Sequence, residues 1–264
     1  MSQRTVQVPA GVCRLVIAYQ GTRYCGWQTQ ANGLSVQAVL EEAFRRMTGQ
    51  MVRANAAGRT DAGVHAIAQV VTVKYSSHHD LETLRKGLNA WLPEDIAVVS
   101  IEPAAPGFRP RRDVRGKHYR YTIHNDPVRP VFQRDFRWHL RKRLDVPAMQ
   151  RASECLLGTH DFAAFQASGG DTGSSVRSID RLSWTVELPE ITFDIWGRAF
   201  LKQMVRILVG TCIEIGQGRK PVEHLAQVLD SRDRSNAGKT APANGLCLMK
   251  VFYDEEEYRR IVES

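Results

Sequence analysis

The pattern of apolar and polar positions divides the first part of the chain into alternating strand-like and helix-like segments. Three apolar runs without helical spacing predict strands: residues 13–19, 66–75 and 96–101. Between them, apolar residues recur at intervals of three and four after Ser35 and Asp80, both common helix N-caps. Gly49 and Pro93 end these two stripes. The resulting β-α-β-α-β order predicts an α+β unit.

A second set of elements follows a candidate linker that contains Pro103, Pro106 and Gly107. Helical spacing predicts three helices: residues 147–157, 200–215 and 222–229. Strand-like runs lie at residues 117–124, 182–188, 191–196 and 246–252. We therefore predict an α+β fold of two related domains, residues 1–106 and 107–264. Each is expected to be a mainly antiparallel sheet covered by helices, with a basic cleft between the two.

Composition and charge narrow the class of protein. The 264-residue chain carries 36 Lys and Arg against 28 Asp and Glu, a net charge of +8. Residues 109–143 hold twelve basic against three acidic residues, which accounts for the whole surplus and predicts an acidic partner. No apolar run approaches the roughly 18 residues of a membrane helix, and the N-terminus has no apolar signal core. Five scattered cysteines without a C-x-x-C pair favour neither a disulfide framework nor a zinc site. We expect a soluble cytoplasmic protein without a structural metal.

An unusual loop precedes the second predicted strand. Gly58 and Gly63 bracket Arg59 and Asp61, and glycine at these positions permits close approach of a ligand. Arg59 would help to keep the Asp61 carboxylate ionised. The alternative is a structural Asp that hydrogen-bonds the amides of its own turn. The pattern alone leaves both interpretations open.

The basic segment, residues 109–143, lies among aromatic residues. They are Phe108, Tyr119, Tyr121, Phe132, Phe136 and Trp138. Cations beside aromatic rings that can stack on bases are typical of surfaces that bind RNA with a splayed-out nucleotide. The alternative is a solvated basic face with the tyrosines packed in the core. The interleaving makes the two interpretations about equal.

The helical stripe at residues 200–210 contains a single Arg206 among apolar neighbours. A buried guanidinium without a carboxylate would be costly, so we expect an acidic partner, for which Asp61 is a candidate. The alternative is a surface Arg whose stem crosses the apolar stripe.

Several stretches together resemble the signatures of the tRNA pseudouridine synthase A (TruA) family. They are residues 57–66 (AGRTDAGVHA), 117–121 (KHYRY), 200–210 (FLKQMVRILVG) and 241–248 (APANGLCL). Residues 19–30 (YQGTRYCGWQTQ) and 155–165 (CLLGTHDFAAF) resemble the family as well, so the likeness spans nearly the whole chain. It implies that the predicted cleft is catalytic and that uridine is isomerised to pseudouridine in tRNA without metal or organic cofactor. The short length suggests the enzyme of the anticodon stem–loop, positions 38 to 40.

The resemblance also implies roles for individual residues. Asp61 matches the family's nucleophile, Arg206 the arginine that pairs with it, and Tyr119 the residue that stacks on the uracil. Leu246 would line the pocket, and Arg59 would contact RNA and help to hold the flipped nucleotide. Further RNA contacts are expected from a segment that departs from the family's Phe-x-Ala-Arg-Phe pattern: Phe108, Arg109, Arg111 and Arg112. A homodimer that binds tRNA across both subunits is also implied.

Two other functions compete with this interpretation. A non-catalytic RNA-binding module would use the same surface without any chemistry at Asp61. An aspartic hydrolase would act through Asp171, which begins a run that resembles a protease motif, but a second Asp-Thr-Gly is absent from the sequence. We expect the synthase in preference to both.

Overall fold

A computed structural model describes residues 11–31, 33–76, 79–170 and 173–264. Within these ranges the chain forms eleven strands and six α-helices, which confirms the α+β class. The chain divides into two compact units, Met1–Val114 and Arg115–Ser264. The boundary expected after Pro106 stays a prediction, because compactness alone does not define a domain that folds by itself. The N-terminal residues before Gly11 and the pair Asp171 and Thr172, both interpreted above, lie outside the described residues.

The first unit is a small antiparallel sheet with two helices. Its elements are β1 (Gly11–Tyr19), α1 (Val36–Thr48), β2 (Ala54–Ala56), β3 (His65–Tyr75), α2 (Leu81–Trp91) and β4 (Ile96–Pro103). Strand β1 lies between β3 and β4, and β2 pairs with the far side of β3. The strands and helices expected in this part of the chain are therefore confirmed.

Local sequence signals explain where the two helices begin and end. Ser35 accepts a hydrogen bond from the Ala38 amide at 3.1 Å, and Asp80 caps α2 in the same way. Helix α1 ends at Gly49, whose φ of 74° is the left-handed conformation that glycine adopts most easily. On β1, Leu15 and Ile17 are buried on one face, so the sheet has one apolar side.

The second unit has a larger sheet and four helices. Its elements are β5 (Gly116–Asn125), β6 (Trp138–Leu140), α3 (Val146–Ser153), β7 (Gly158–Asp161), β8 (Val176–Ile179), β9 (Arg181–Glu187), β10 (Glu190–Gly197), α4 (Met204–Gly216), α5 (His224–Ser231), β11 (Leu246–Phe252) and α6 (Glu255–Glu263). Strands β11, β5, β10 and β9 are adjacent and antiparallel, and the short β6 runs parallel to β5. Strands β7 and β8 form a separate pair.

The helix expected over residues 200–215 begins later than its apolar stripe suggested. Gln203 has a φ of 59°, outside the helical region, and α4 starts at Met204. The prediction was wrong for residues 200–203, because the spacing of apolar residues does not reveal the left-handed backbone conformation of Gln203. The helix expected over residues 147–157 is likewise shorter, since a 3₁₀ turn at Glu154–Leu156 follows α3.

A charged network lies on one face of the second sheet. Asp194 is buried and accepts hydrogen bonds from His118 Nε2 at 2.5 Å and Arg120 Nε at 2.8 Å. Burial by itself would raise the pKa of the Asp194 carboxyl, but these two partners outweigh it and hold the pKa below its ordinary value. The Trp196 ring stacks on that of His118, and Trp196 packs in a small core with Phe252 of β11 and Tyr258 of α6.

No helix among the described residues is long and apolar enough to cross a membrane.

Candidate active site

The loop that carries Asp61 connects β2 to β3 and is fixed mainly through the residue before it. The Thr60 carbonyl accepts the Trp27 amide hydrogen at 3.1 Å, and the Thr60 hydroxyl is hydrogen-bonded to the Tyr19 phenol at 2.8 Å. Gln69 donates from its side-chain amide to the Gly58 carbonyl at 2.9 Å. The backbone on the N-terminal side of Asp61 is thereby held by β1, by the segment after it and by β3.

Two glycines let the segment after β1 approach this loop closely. A Cβ at Gly21 would lie 2.0 Å from the Val64 carbonyl oxygen, and one at Gly26 would lie 2.6 Å from that of Thr60. The Gly21 amide also donates to Nδ1 of the buried His65 at 3.0 Å. The contact is therefore made between backbones, which leaves no room for a side chain.

Within the loop, the residues differ in exposure. Thr60 is buried, Asp61 is half-buried and Arg59 is exposed. The turn closes through a hydrogen bond from the Val64 amide to the Asp61 carbonyl at 3.1 Å. A half-buried carboxylate on a backbone fixed at both ends suits a group that must meet a ligand in one defined position.

The second unit carries the predicted pocket residues Tyr119, Arg206 and Leu246, and Tyr119 lies with Tyr121 on β5. Tyr121 is fully buried and donates to the Pro242 carbonyl at 2.8 Å. Burial raises the pKa of Tyr121, and the charge of Arg206 offsets part of that effect. The alternative that the tyrosines pack in the core thus holds for Tyr121. Tyr119 is 8% exposed and meets the edge of the Phe200 ring, with ring centres 5.2 Å apart.

Arg206 lies in the first turns of α4 and is half-buried. Its Nε donates to the Ala241 carbonyl at 2.8 Å, and the Ala241 amide donates to the Arg206 carbonyl at 3.0 Å. Gly210 makes this close packing possible, because a Cβ there would lie 1.7 Å from the Lys239 carbonyl oxygen. These contacts therefore fix α4 and residues 238–242 relative to each other.

A 3₁₀ turn, Ala243–Gly245, leads from that segment to Leu246, where β11 begins. It is 5% exposed and pairs with Tyr121, while Leu248 pairs with Tyr119, so these four side chains share one face of the sheet. Tyr119 and Leu246 are thus brought onto one surface. Arg206 is tied through Ala241 to the segment that leads to it.

The predicted RNA-contacting segment lies in the first unit. Arg109, Arg111 and Arg112 are exposed, and Asp113 accepts hydrogen bonds from the Arg109 amide and the Arg112 side chain. The Phe108 ring lies 5.7 Å from the Arg14 guanidinium. The segment therefore presents cations from a turn that Asp113 stabilises.

The predicted residues are consequently divided between the units. Asp61 and Arg59 lie in the first, whereas Tyr119, Arg206 and Leu246 lie in the second. The pairing of Asp61 with Arg206 stays a prediction.

Sequence reasoning assigned no role to the residues that hold the Asp61 loop: Tyr19, Gly21, Gly26, Trp27 and Gln69. The stretch at residues 19–30 was the available signal for most of them. Among the described residues, no three His, Cys, Asp or Glu side chains form a cluster that could hold a metal ion.

Comparisons with known proteins identify the family of the chain. A family model described as tRNA pseudouridine synthase matches residues 15–111 and 152–254. Three similar curated proteins are all named tRNA pseudouridine synthase A. That of Pelobacter propionicus is 50% identical over 91% of this chain and 98% of its own length. That of Citrifermentans bemidjiense is 46% identical over 92% and 98%, and that of Myxococcus xanthus 45% identical over 91% of each. A solved chain from a Cbf5-Nop10-Gar1 complex, 11% identical with a TM-score of 0.37 over 89% of this chain and 48% of its own, is too distant to bear on fold or function.

These matches place the chain among the pseudouridine synthases, which are isomerases. Within that class, the chain belongs to the tRNA pseudouridine synthase family. The resemblance first seen in the four signature stretches is thereby confirmed.

Proposed function

We propose that this chain converts uridine to pseudouridine in the anticodon stem–loop of tRNA, at positions 38 to 40, with Asp61 as the nucleophile. The observation that carries the proposal is the Asp61 loop. Its sequence has the family signature, and Thr60 and Gly58 fix its backbone by hydrogen bonds while the carboxylate stays half-buried. Family membership supports tRNA as the substrate.

The reaction exchanges one bond to the sugar for another. The C1′–N1 bond of uridine breaks, the ring turns, and C1′ bonds to C5. The hydrogen of C5 leaves as a proton, and N1 takes up a proton, so the atoms balance. No oxidant or reductant is needed. Asp61 serves either by attacking C1′ to form a covalent adduct or by removing a sugar proton to form a glycal. Both routes use the Asp61 carboxylate, which the proposed pairing with Arg206 would orient.

The remaining pocket residues would hold the detached uracil. Tyr119 would stack on the ring so that it turns without escaping, and Leu246, on the same face of the sheet, would line the pocket. The mutual hydrogen bonds between Arg206 and Ala241 would keep the guanidinium in a fixed position. The target uridine must leave its stack first, at a cost of a few kcal/mol that loop bases largely avoid.

Binding of tRNA would depend on Arg59 and on the basic segment, residues 109–143. Arg59 would contact RNA beside the flipped nucleotide. The Asp113-stabilised turn would add phosphate and base contacts through Phe108, Arg109, Arg111 and Arg112. Affinity for tRNA should therefore fall steeply with salt. We further propose a homodimer that binds tRNA across both subunits.

Tritium release from tRNA labelled at uridine C5 tests the reaction directly, because isomerisation removes that hydrogen. We expect release by the unaltered chain and none by Asp61→Asn, while both bind tRNA. Asp80→Asn is the matched control, since Asn caps a helix as well as Asp does and the variant should retain full release. Transcripts labelled at single positions test 38, 39 and 40 in turn, and sedimentation velocity tests the homodimer.

Absence of release by the unaltered chain, with tRNA binding intact, would favour the RNA-binding module instead. Equal release by Asp61→Asn would refute the role of Asp61. Release from uridines outside positions 38 to 40 would refute the assigned specificity while leaving the reaction in place.

A further inference from the structure

An exposed aromatic ring lies in the second unit, at a distance in sequence from every residue assigned above. We call residues 126–137, between β5 and β6, the Phe132 loop. The Phe132 side chain is 86% exposed. Single exposed apolar side chains are common on protein surfaces, so this ring acquires significance only through the structure and the charge of the loop around it. Tyr119 and Tyr121, in contrast, are buried.

The backbone of this loop is held firmly on both sides of the exposed ring. His139 Nε2 donates to the Asp126 carbonyl at 2.8 Å, which fixes the start of the loop. Gln133 has a φ of 58°, a conformation rare for residues other than glycine, and its carbonyl accepts the Phe136 amide at 3.0 Å. These contacts of the loop backbone therefore hold Phe132 in an exposed position.

A second anchor ties the loop to the proposed active site. The Asn244 side-chain amide donates to the carbonyls of Arg134 at 3.1 Å and Arg137 at 2.7 Å. Asn244 lies two residues before Leu246, in the segment that Tyr121 also holds through Pro242. The loop is thus positioned by the same stretch of chain that positions the proposed uracil pocket.

Charge around the ring indicates what it meets. Residues 126–143 contain six Lys and Arg against two Asp, a net charge of +4. Arg129 and Arg134 are exposed, three residues before and two residues after Phe132 in the sequence. An exposed ring between cations is the arrangement by which proteins hold single-stranded nucleic acid, since the ring stacks on a base while the cations contact phosphates.

We propose that Phe132 stacks on an unpaired base of the tRNA, a nucleotide other than the uridine that reacts, with Arg129 and Arg134 on the flanking phosphates. The loop would thereby add a second point of attachment beside the active site. This inference rests on the proposed function for the identity of the RNA. An apolar contact with a second copy of the chain is the competing explanation, and the positive charge disfavours it because like charges would then face each other.

The test compares substitutions that separate stacking from apolar contact. Equilibrium dissociation constants for full-length tRNA transcript are measured at one salt concentration by fluorescence anisotropy, with sedimentation velocity on the same samples. We expect Phe132→Ala and Phe132→Leu to weaken binding about 5- to 100-fold, and Phe132→Trp to restore it. Val128→Ala is the matched control, because Val128 is 72% exposed in the same loop but cannot stack; it should bind as the unaltered chain does.

Three results would overturn the proposal. Unchanged tRNA affinity in Phe132→Ala would show that the ring does not contact RNA. Retained affinity in Phe132→Leu together with weakened affinity in Val128→Ala would show apolar contact without stacking. A change in self-association without a change in tRNA affinity would assign the loop to an interface between copies.

Tritium release by the unaltered chain, measured in parallel, separates this proposal from the previous one. If the unaltered chain releases tritium and the Phe132 variants bind normally, the proposal about Phe132 fails alone. If it releases none, the proposed reaction fails, and the affinities still decide whether Phe132 contacts RNA.

Discussion

Replacement of Gly26 by alanine should displace the backbone of the Asp61 loop while leaving the Asp61 side chain chemically unaltered. Gly26 has a φ of 108°, and an added Cβ would lie 2.6 Å from the Thr60 carbonyl oxygen and 3.2 Å from the Ala62 amide nitrogen. Ordinary contacts begin near 3.4 Å, so the carbonyl would have to retreat by about 0.8 Å. The same movement would stretch the hydrogen bond that it accepts from Trp27.

This displacement sets the size of the expected effect. A catalytic group misplaced by about 1 Å can cost about 100-fold in rate, so we expect kcat to fall roughly 30- to 100-fold in Gly26→Ala. Stability should also fall by about 1–3 kcal/mol, because a side chain at positive φ is strained and the clash adds to the strain. The affinity for tRNA should change less than kcat, since Arg59 is the one proposed RNA contact that lies in the displaced loop.

Gly49→Ala separates strain from displacement. Gly49 also has a positive φ, of 74°, but an added Cβ would meet nothing within 4 Å. It should therefore lose about 1 kcal/mol of stability and keep its kcat. Tritium release gives kcat, thermal unfolding gives stability, and anisotropy gives tRNA affinity. A Gly26→Ala variant that is as destabilised as Gly49→Ala but keeps its kcat would refute the argument that the backbone contact positions Asp61.

Three further predictions concern the hydrogen bonds that hold the fold. Tyr19→Phe removes the partner of the Thr60 hydroxyl and should lower both stability, by about 1 kcal/mol, and kcat, whereas an unchanged kcat would assign the bond to stability alone. Ser35→Ala removes the cap of α1 and should lower the free energy of unfolding by about 1 kcal/mol, with Ser35→Asp as the restoring control. Asp194→Asn should lose about 2 kcal/mol at neutral pH, measured by urea unfolding. Because the fold lowers the pKa of Asp194, the contribution of the carboxylate to stability is complete above the ordinary pKa of 3.8 and disappears as the pH falls through the folded-state pKa. The difference in stability between Asp194→Asn and the unaltered chain should therefore shrink in acid. A difference that persists in acid would contradict the assignment.

The parts of the fold that could be predicted were those set by local signals. Ser35, Gly49 and Asp80 mark helix ends by chemistry that acts within a few residues, and the structure has the helices there. Helix α6 was not predicted although Asp254 caps it as Asp80 caps α2, because Tyr258 is its one buried residue and its mostly charged sequence has no apolar stripe. The predicted start of α4 was wrong because the spacing of apolar residues does not indicate the left-handed backbone conformation of Gln203.

The loop of the candidate site that carries Asp61 could be predicted from the sequence, but the residues that hold this loop in place could not. The glycines and charges around Asp61 mark the loop in the sequence. Its support comes from Tyr19 and Trp27, about forty and thirty residues away along the chain, and no pattern within a short window joins them to Thr60. The exposure of Phe132 was equally hidden, because burial depends on the tertiary contacts of the chain and the tyrosines in the same basic segment are buried.

The central position of β1 bears on how the chain is made. This strand is synthesised before both of its partners, because Cys13 pairs with Val73 on one side and Pro103 on the other. At ordinary rates of synthesis, the ribosome needs about 5 to 20 s to reach Pro103 after making Cys13. Throughout that interval Leu15 and Ile17 have no complete sheet to enter, so β1 is open to chaperones or to pairing with another chain. Efficient production of the enzyme would then depend on protecting one early strand, well before the loop around Asp61 exists.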